Sequence, residues 1–291
     1  MKTSGQARSK QAVPTRTLDL GPGYFDLASF RFRRYGELRP NLLLLGAQKC
    51  GTTSLANYLS YHPEIHLSSP LKEAGFYLFD EWAGAYWNAN GWSFKNPKEL
   101  LRKGMLNGYT GQRYFVDAAT WYTIPAISGG VDVAENLAGK VEKAIFSVRN
   151  PFDRMVSAYK NFHARKANVN FNACLNSDPS LLQICLYFEQ LQRYIEALGA
   201  ENICVVVFED FIADVPSTLN RIAGFLGLEE FLPFTDYPVM NSARNLESYR
   251  YSSDNFERLQ EAILPDVARL EAYLGRPIGW DLSTASWLEV F

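Results

Sequence analysis

Four leucines in a row, Leu42–Leu45, stand behind Pro40 and ahead of the small residues Gly46, Ala47 and Gly51. A run that is apolar at every position, without alternation, suits a strand covered on both faces, the situation of a parallel sheet. From Thr52 onward Leu55, Tyr58 and Leu59 recur at helical spacing, and the helix has to end before Pro63. The segment therefore reads as strand, glycine loop and helix.

Two further units share this order. Ala144–Val148 leads through Arg149-Asn150-Pro151 into a helix marked by Phe152, Met155, Val156 and Tyr159, with Pro151 suited to a first helical turn. Ile203–Phe208 is a third apolar strand, followed by an apolar-periodic segment from Phe211 to Leu226 that ends at Gly227. Three apolar strands, each followed by a helix, predict an α/β protein with a central parallel sheet flanked by helices. A last helical pattern runs through Phe256, Leu259, Ile263, Val267, Leu270 and Leu274, with Gly275, Pro277 and Trp280 after it. Between the first and second units lies an aromatic stretch, Phe76, Tyr77, Phe79, Trp82, Tyr86, Trp87, Trp92 and Phe94, too apolar for a linker and without a clean period.

Composition narrows the classes of function. The 291 residues, 47% hydrophobic and 21% charged, suffice for a buried core and exclude a disordered chain or a disulfide-stapled peptide. Lys and Arg number 29 against 31 Asp and Glu, a net charge of -2, which lacks the basic excess of a protein held on nucleic acid. Any site for a polyanion has to be local. The 4 cysteines, Cys50, Cys174, Cys185 and Cys204, contain no Cys-x-x-Cys pair, and with 3 histidines they make no zinc pattern, so no metal is expected. Buried free thiols are the reading, with a Cys174–Cys185 bridge left open. Residues 1–17 carry Lys2, Arg8, Lys10 and Arg16 without the apolar core of a signal peptide, and nowhere do 18 apolar residues run together. The expectation is a cytoplasmic protein without a membrane span, with a partly flexible tail over residues 1–38 and a single domain over 39–291.

Gly46-Ala47-Gln48-Lys49-Cys50-Gly51-Thr52-Thr53 sits where a strand gives way to a helix, so backbone N–H groups and the positive helix end can hold a phosphate. The glycine spacing fits a nucleoside-triphosphate loop, but that loop needs Lys directly after its second glycine. Here Thr52 stands there and Lys49 precedes Gly51 by two. A P-loop nucleotide kinase or NTPase is therefore the alternative reading, and a non-catalytic nucleotide-binding module is another.

The segment Lys49-Cys50-Gly51-Thr52-Thr53-Ser54-Leu55 resembles the 5′-phosphosulfate loop of the sulfotransferases that use 3′-phosphoadenosine 5′-phosphosulfate, and Arg149-Asn150-Pro151-Phe152-Asp153-Arg154-Met155-Val156-Ser157 resembles their 3′-phosphate element. Lys72-Glu73 with Phe76 nearby is closer to the glycosaminoglycan-type and bacterial branch than to the cytosolic one. The resemblance implies a P-loop-like sulfotransferase fold over residues 39–291 and transfer of a sulfuryl group to a hydroxyl or amine, with adenosine 3′,5′-bisphosphate as product and no metal. It implies donor contacts from Gln48, Lys49, Cys50, Gly51, Thr52, Thr53 and Ser54 around the 5′-phosphate and from Arg149 and Ser157 around the 3′-phosphate. Arg244, in Asn241-Ser242-Ala243-Arg244, stands roughly where the family's further nucleotide loop falls.

Such a transfer needs the acceptor proton removed and charge stabilised on the leaving oxygen. Lys49 is suited to the leaving oxygen. Glu73 matches the family's catalytic glutamate, and its flanks Leu71, Ala74, Gly75 and Phe76 suggest a partly desolvated carboxylate. His163 is the competing base, since cytosolic members use a histidine. His62, before Pro63, suits a helix-end dipole contact, and His66 has no assigned role. Tyr77, Trp82, Trp87 and Trp121 are candidate walls of an acceptor pocket, and Asp117 lies in a segment that in relatives is near the acceptor. The charge balance fits a small-molecule acceptor, such as a secondary metabolite or a sugar, and no nucleic-acid or membrane partner.

Overall fold

The leucine run is the middle strand of the protein. The structure, a computed structural model, describes residues 38–67, 72–78, 91, 93–124, 136–162, 170–231 and 249–283. All but Leu38 belong to one of the two units into which the chain divides, Arg39–Phe291. In chain order the strands and helices are β1 (Leu42–Gly46), α1 (Thr52–Leu59), β2 (Ile65–Leu67), α2 (Pro97–Leu100), β3 (Tyr114–Ala118), β4 (Lys143–Val148), α3 (Pro151–Phe162), α4 (Phe171–Ser177), α5 (Ser180–Gln183), α6 (Tyr187–Leu198), β5 (Ile203–Val207), α7 (Phe208–Ala213), α8 (Val215–Leu226) and α9 (Ser253–Leu274).

The strands pair in the order β2-β3-β1-β4-β5, every pair parallel. β1, β3 and β5 are buried at every residue, as strands covered on both faces of a parallel sheet are. On one face Leu42, Leu44, Val116, Ile145 and Val206 pack with Leu55 and Leu59 of α1 and Leu219, Ile222 and Leu226 of α8. On the other, the Phe146 ring lies 6.2 Å from Tyr187 of α6. A second cluster joins α3, α4 and α9 through Phe152, Met155, Phe171, Phe256, Leu259 and Ile263, with the Phe152 and Phe256 rings stacked 4.8 Å apart. Each fully buried aliphatic or aromatic side chain of this kind contributes about 1.5–3 kcal/mol.

Three local readings need amendment. Among the described residues the sheet has five strands, because β2 is three residues long and contains His66, while β3 carries Asp117 next to its last residue; neither shows as an apolar run. The third predicted strand stops at Val207, and Phe208 already starts α7. The apolar segment after it is two helices, broken at Asp214, whose carboxylate accepts the Ser217 N–H (3.0 Å) and caps α8, with a proline in the first turn. All 4 cysteines are free and buried, so Cys174 and Cys185 are not bridged. Among the described residues no helix is long and apolar enough to cross a membrane.

Candidate active site

The chain leaves β1 toward β2 on one side of the sheet and leaves β4 toward β5 on the other. Their loops part at the C-terminal ends of the strands and open a crevice, the usual ligand position in such sheets. The two loops are nonetheless tied together. Ala47 N donates to Ser147 O (2.6 Å), and the Ser147 hydroxyl donates to Cys50 O (2.6 Å). Cys50 N closes a turn onto Ala47 O (3.2 Å). Gly51 then enters α1 at φ +78°, where a Cβ would meet Phe208 Cδ2 at 2.6 Å, so only glycine fits. The helix starts without a side-chain cap and without an acidic residue in its first turn. Its first helical bond is Leu55 N to Gly51 O (3.0 Å), which leaves the Thr52 and Thr53 N–H groups ahead of it at the positive helix end.

Lys49 occupies the left-handed region at φ +72°, unusual for a residue with a side chain. Its Nζ lies 5.9 Å from the centre of the Phe162 ring. Burial, and then the charges of Arg149 and Arg154, hold its pKa below the usual lysine value. Cys50 differs from its neighbours: its thiol is fully buried 3.7 Å from the Tyr187 hydroxyl, burial pushes its pKa up to about 12, and its N–H is used in the turn. Its side chain thus faces the core, a placement that the loop spacing does not reveal.

From the other turn, the Arg149 guanidinium lies over the Phe208 ring (4.7 Å) and Nη1 donates to Lys49 O (3.4 Å). Its Nε is buried and has no partner among the described residues. The backbone beneath it is braced by groups that the motifs do not contain. The Tyr187 hydroxyl donates to Arg149 O (2.7 Å). Asn150 N donates to Glu209 Oε1 (3.0 Å), and Trp280 Nε1 donates to Glu209 Oε2 (2.8 Å). Asn150 Nδ2 reaches Asp281 O (3.1 Å), while its Oδ1 accepts the Phe152 N–H (3.0 Å) at the start of α3. Asp266 of α9, almost fully buried, accepts Phe188 N (2.9 Å) and Glu189 N (3.0 Å) and so caps α6, the helix that carries Tyr187. The only signals for these partners in the sequence were Glu209 just after the third strand and Trp280 at the end of the last pattern.

Arg154, one helical turn further on, is fully buried with Nη1 donating to Leu181 O (3.3 Å) and with Nε and Nη2 unpartnered among the described residues. Ser157 is half-buried on α3. With Lys49, the two arginines gather positive charge around one crevice in a chain whose net charge is -2.

Glu73 also stands in the left-handed region, at φ +71°. Its N–H donates to Ala118 O (2.7 Å), Oε2 accepts from the Thr120 N–H (2.6 Å) and hydroxyl (3.1 Å), and Oε1 pairs with Lys72. Ala74 and Gly75 are buried beside it as their apolar character suggests, but the carboxylate itself meets polar partners, Lys72 and Thr120. Asp117, at the end of β3, is fully buried, and burial lifts its pKa to about 6 against the three hydrogen bonds that it accepts.

The other candidates divide. Tyr77 is pinned by its hydroxyl to Pro40 O (2.5 Å), and Trp121 is buried against Gly75, so both serve the framework of the Glu73 turn. His62 accepts Glu64 N at Nδ1 (3.1 Å) and meets Glu229 O through Nε2 (3.1 Å), which replaces the expected dipole contact. His66 meets Met105 O (2.8 Å) between the rings of Tyr109 and Phe115, and burial lowers its pKa. His163, Arg244, Trp82 and Trp87 lie outside the described residues. Among the described residues no cluster of His, Cys, Asp or Glu could hold a metal ion.

An anion in this crevice would be gripped from two strand-to-helix turns at once, which makes the chain an α/β protein of the phosphate-loop-like class. Comparison with known families takes the assignment further: the profile of the sulfotransferase domain matches residues 131–277, and the chain belongs to that family. The match spans Arg149 and Ser157 and begins after Lys49 and Glu73. The chain is 24% identical over 241 residues to mouse heparan sulfate glucosamine 3-O-sulfotransferase 3B1, covering 79% of itself and 56% of that protein. It is 27% identical over 180 residues to 3-alpha-hydroxysteroid sulfotransferase of Cavia porcellus, covering 50% of itself and 60% of the relative. The chain thus spans somewhat more than half the length of these curated relatives. Among solved structures, a sulfotransferase from Alicyclobacillus acidocaldarius superposes with a TM-score of 0.64 at 28% identity, covering 83% of this chain and 98% of that one.

Proposed function

We propose that the protein transfers a sulfuryl group from 3′-phosphoadenosine 5′-phosphosulfate to a hydroxyl or amine of a small-molecule acceptor. The observation that carries the reading is the contact of Arg149 Nη1 with Lys49 O, which joins the two phosphate elements into one cation-lined crevice, with the buried Arg149 Nε still lacking a partner among the described residues. An oxyanion of the donor would satisfy that nitrogen, which is the fit expected of a 3′-phosphate site.

In this reading the donor supplies the activated sulfuryl group. The loop from Gln48 to Ser54 and the start of α1 bind its 5′ side, and Arg149 and Ser157 bind its 3′-phosphate. Lys49 places positive charge where the leaving oxygen becomes anionic. Burial, and after it the charges of Arg149 and Arg154, lower its pKa, which supports an anion bound beside these three cations. Glu73, oriented by Thr120 and Lys72, takes the acceptor proton. The relatives named for a sugar O-sulfotransferase and a hydroxysteroid sulfotransferase support a hydroxyl acceptor, and the 4 free cysteines suit a reducing, cytoplasmic setting.

A kinase or NTPase is disfavoured by Thr52 after the second glycine. The deciding experiment is thermal unfolding with adenosine 3′,5′-bisphosphate or Mg-ATP, followed by a labelled-donor acceptor screen. Saturation at about 100 times Kd should add about 2.7 kcal/mol for the bisphosphate. Stabilisation by Mg-ATP alone would overturn the reading, and bisphosphate binding without turnover on any acceptor would reduce the protein to a binding module. Glu73→Gln should keep bisphosphate affinity and lower turnover about 10²–10⁴-fold; an active variant would remove Glu73 as the base.

A further inference from the structure

The turn that carries Glu73 contains only a short 3₁₀ segment, Phe76–Leu78, yet its backbone is fastened to the end of β3 at nearly every residue. Asp117 is the centre of that fastening. Its Oδ1 accepts Gly75 N (3.2 Å), and its Oδ2 accepts Phe76 N (2.7 Å) and the Tyr122 hydroxyl (2.6 Å). The Tyr122 hydroxyl in turn accepts Tyr77 N (3.1 Å), so three consecutive amides are held by one carboxylate and its phenol partner. Tyr122 is itself anchored, since its carbonyl accepts the Tyr194 hydroxyl of α6. From the far side Trp121 closes on Gly75, where a Cβ would come within 3.0 Å of the ring.

Among the described residues every hydrogen-bond partner of Asp117 is a donor, an arrangement that only an ionised carboxylate satisfies completely. A carboxylic acid or an amide at this position would turn one donor against another. We infer that Asp117 is the positioning residue of the acceptor side: its carboxylate holds the Glu73–Tyr77 turn against β3 and thereby keeps Glu73 in the left-handed conformation that presents its carboxylate to Thr120. The inference rests on the reading of Glu73 as the base, but its structural half concerns the turn alone.

The titratable groups facing Asp117 are Tyr122, Tyr77 and Glu73, the last with its partner Lys72. Burial, aided by the Glu73 charge, lifts Asp117 to about 6 against the hydrogen bonds that it accepts from Tyr122, Phe76 and Gly75.

The test uses the full chain with Asp117→Asn and Tyr122→Phe. Asp117→Asn should lower turnover at saturating donor about 10- to 100-fold, leave the Kd of adenosine 3′,5′-bisphosphate unchanged, and speed amide exchange at Gly75 and Phe76. Tyr122→Phe, which removes one donor and keeps the ring, should show a loss of about three- to tenfold with the same pattern. The double variant Glu73→Gln/Asp117→Asn should lose no more than Glu73→Gln alone. Equal losses of turnover and bisphosphate affinity, or full turnover with unchanged amide exchange at Gly75 and Phe76, overturn the inference. If Asp117→Asn does not fold, unchanged turnover and exchange in Tyr122→Phe overturn it instead. Failure of the base reading is separate: an active Glu73→Gln removes the base, while slower turnover with faster Gly75 and Phe76 exchange in Tyr122→Phe still supports the hold on the turn.

Discussion

Replacing Arg149 by methionine separates donor recognition from support of the loop. Methionine keeps the reach of the side chain over the Phe208 ring but loses the charge and the donor to Lys49 O. A charge-assisted hydrogen bond to a phosphate contributes about 1.5–3 kcal/mol, so binding of adenosine 3′,5′-bisphosphate should weaken about 10- to 150-fold. Adenosine 5′-monophosphate lacks the 3′-phosphate and feels only the loss of the loop brace. That brace, at 3.4 Å, is a long hydrogen bond, contributing about 0.5–1 kcal/mol or two- to fivefold in affinity. The cation–π contact, about 0.5–1 kcal/mol, is lost for both ligands and does not discriminate. The ratio of the two affinities should therefore fall about tenfold or more. Calorimetric titration of both nucleotides at one fixed ionic strength measures it, because exposed charges are screened by salt. An equal loss for the two ligands would refute the reasoning and leave Arg149 a purely structural cation.

Three other outcomes are expected. Lys49→Ala should lower turnover about 10²–10³-fold with the fold intact, measured at saturating donor; near-normal turnover would remove Lys49 from the mechanism. Gly51→Ala combines a left-handed side chain (about 1–2 kcal/mol) with a Cβ driven into Phe208 (about 1–3 kcal/mol), so urea unfolding should show a loss of about 2–5 kcal/mol, against which an unchanged midpoint would count. Asp117, lifted to about 6 from an ordinary 3.8, takes up a proton in the native state between pH 6 and 4 that the unfolded chain does not. Its stabilising contribution is therefore complete below about pH 4 and is lost as pH rises through 6, by about 1–3 kcal/mol; parallel pH dependence of unfolding in the native chain and in Asp117→Asn would contradict this.

The candidate donor side could be proposed from the sequence because its elements are local. A fully apolar strand, a glycine that must turn and a helix start lie within one stretch, as do Arg149, Pro151 and Ser157, so the residues proposed to meet a phosphate are neighbours in the chain. The acceptor side was readable only by resemblance. Asp117 holds the Glu73 turn through the Gly75 and Phe76 amides, 42 and 41 positions away in the chain, and a carboxylate inside a short strand carries no periodic signal. His163 and Arg244 stand outside the described residues and remain expectations.

Amino-acid order alone determined the parallel α/β class and the two strand-to-helix turns proposed to hold the donor's phosphates, since each follows from periodicity and from residues that restrict the backbone locally. Tertiary structure alone decided the strand order that places β1 beside β4, and with it the contact of Arg149 with Lys49. It also decided that Cys50 faces the core, that Glu209 and Trp280 brace Asn150, and that Asp117 is buried among donors. These are properties of pairs distant in the chain. Their energies depend on burial and on which groups are brought together, which propensity and spacing do not contain.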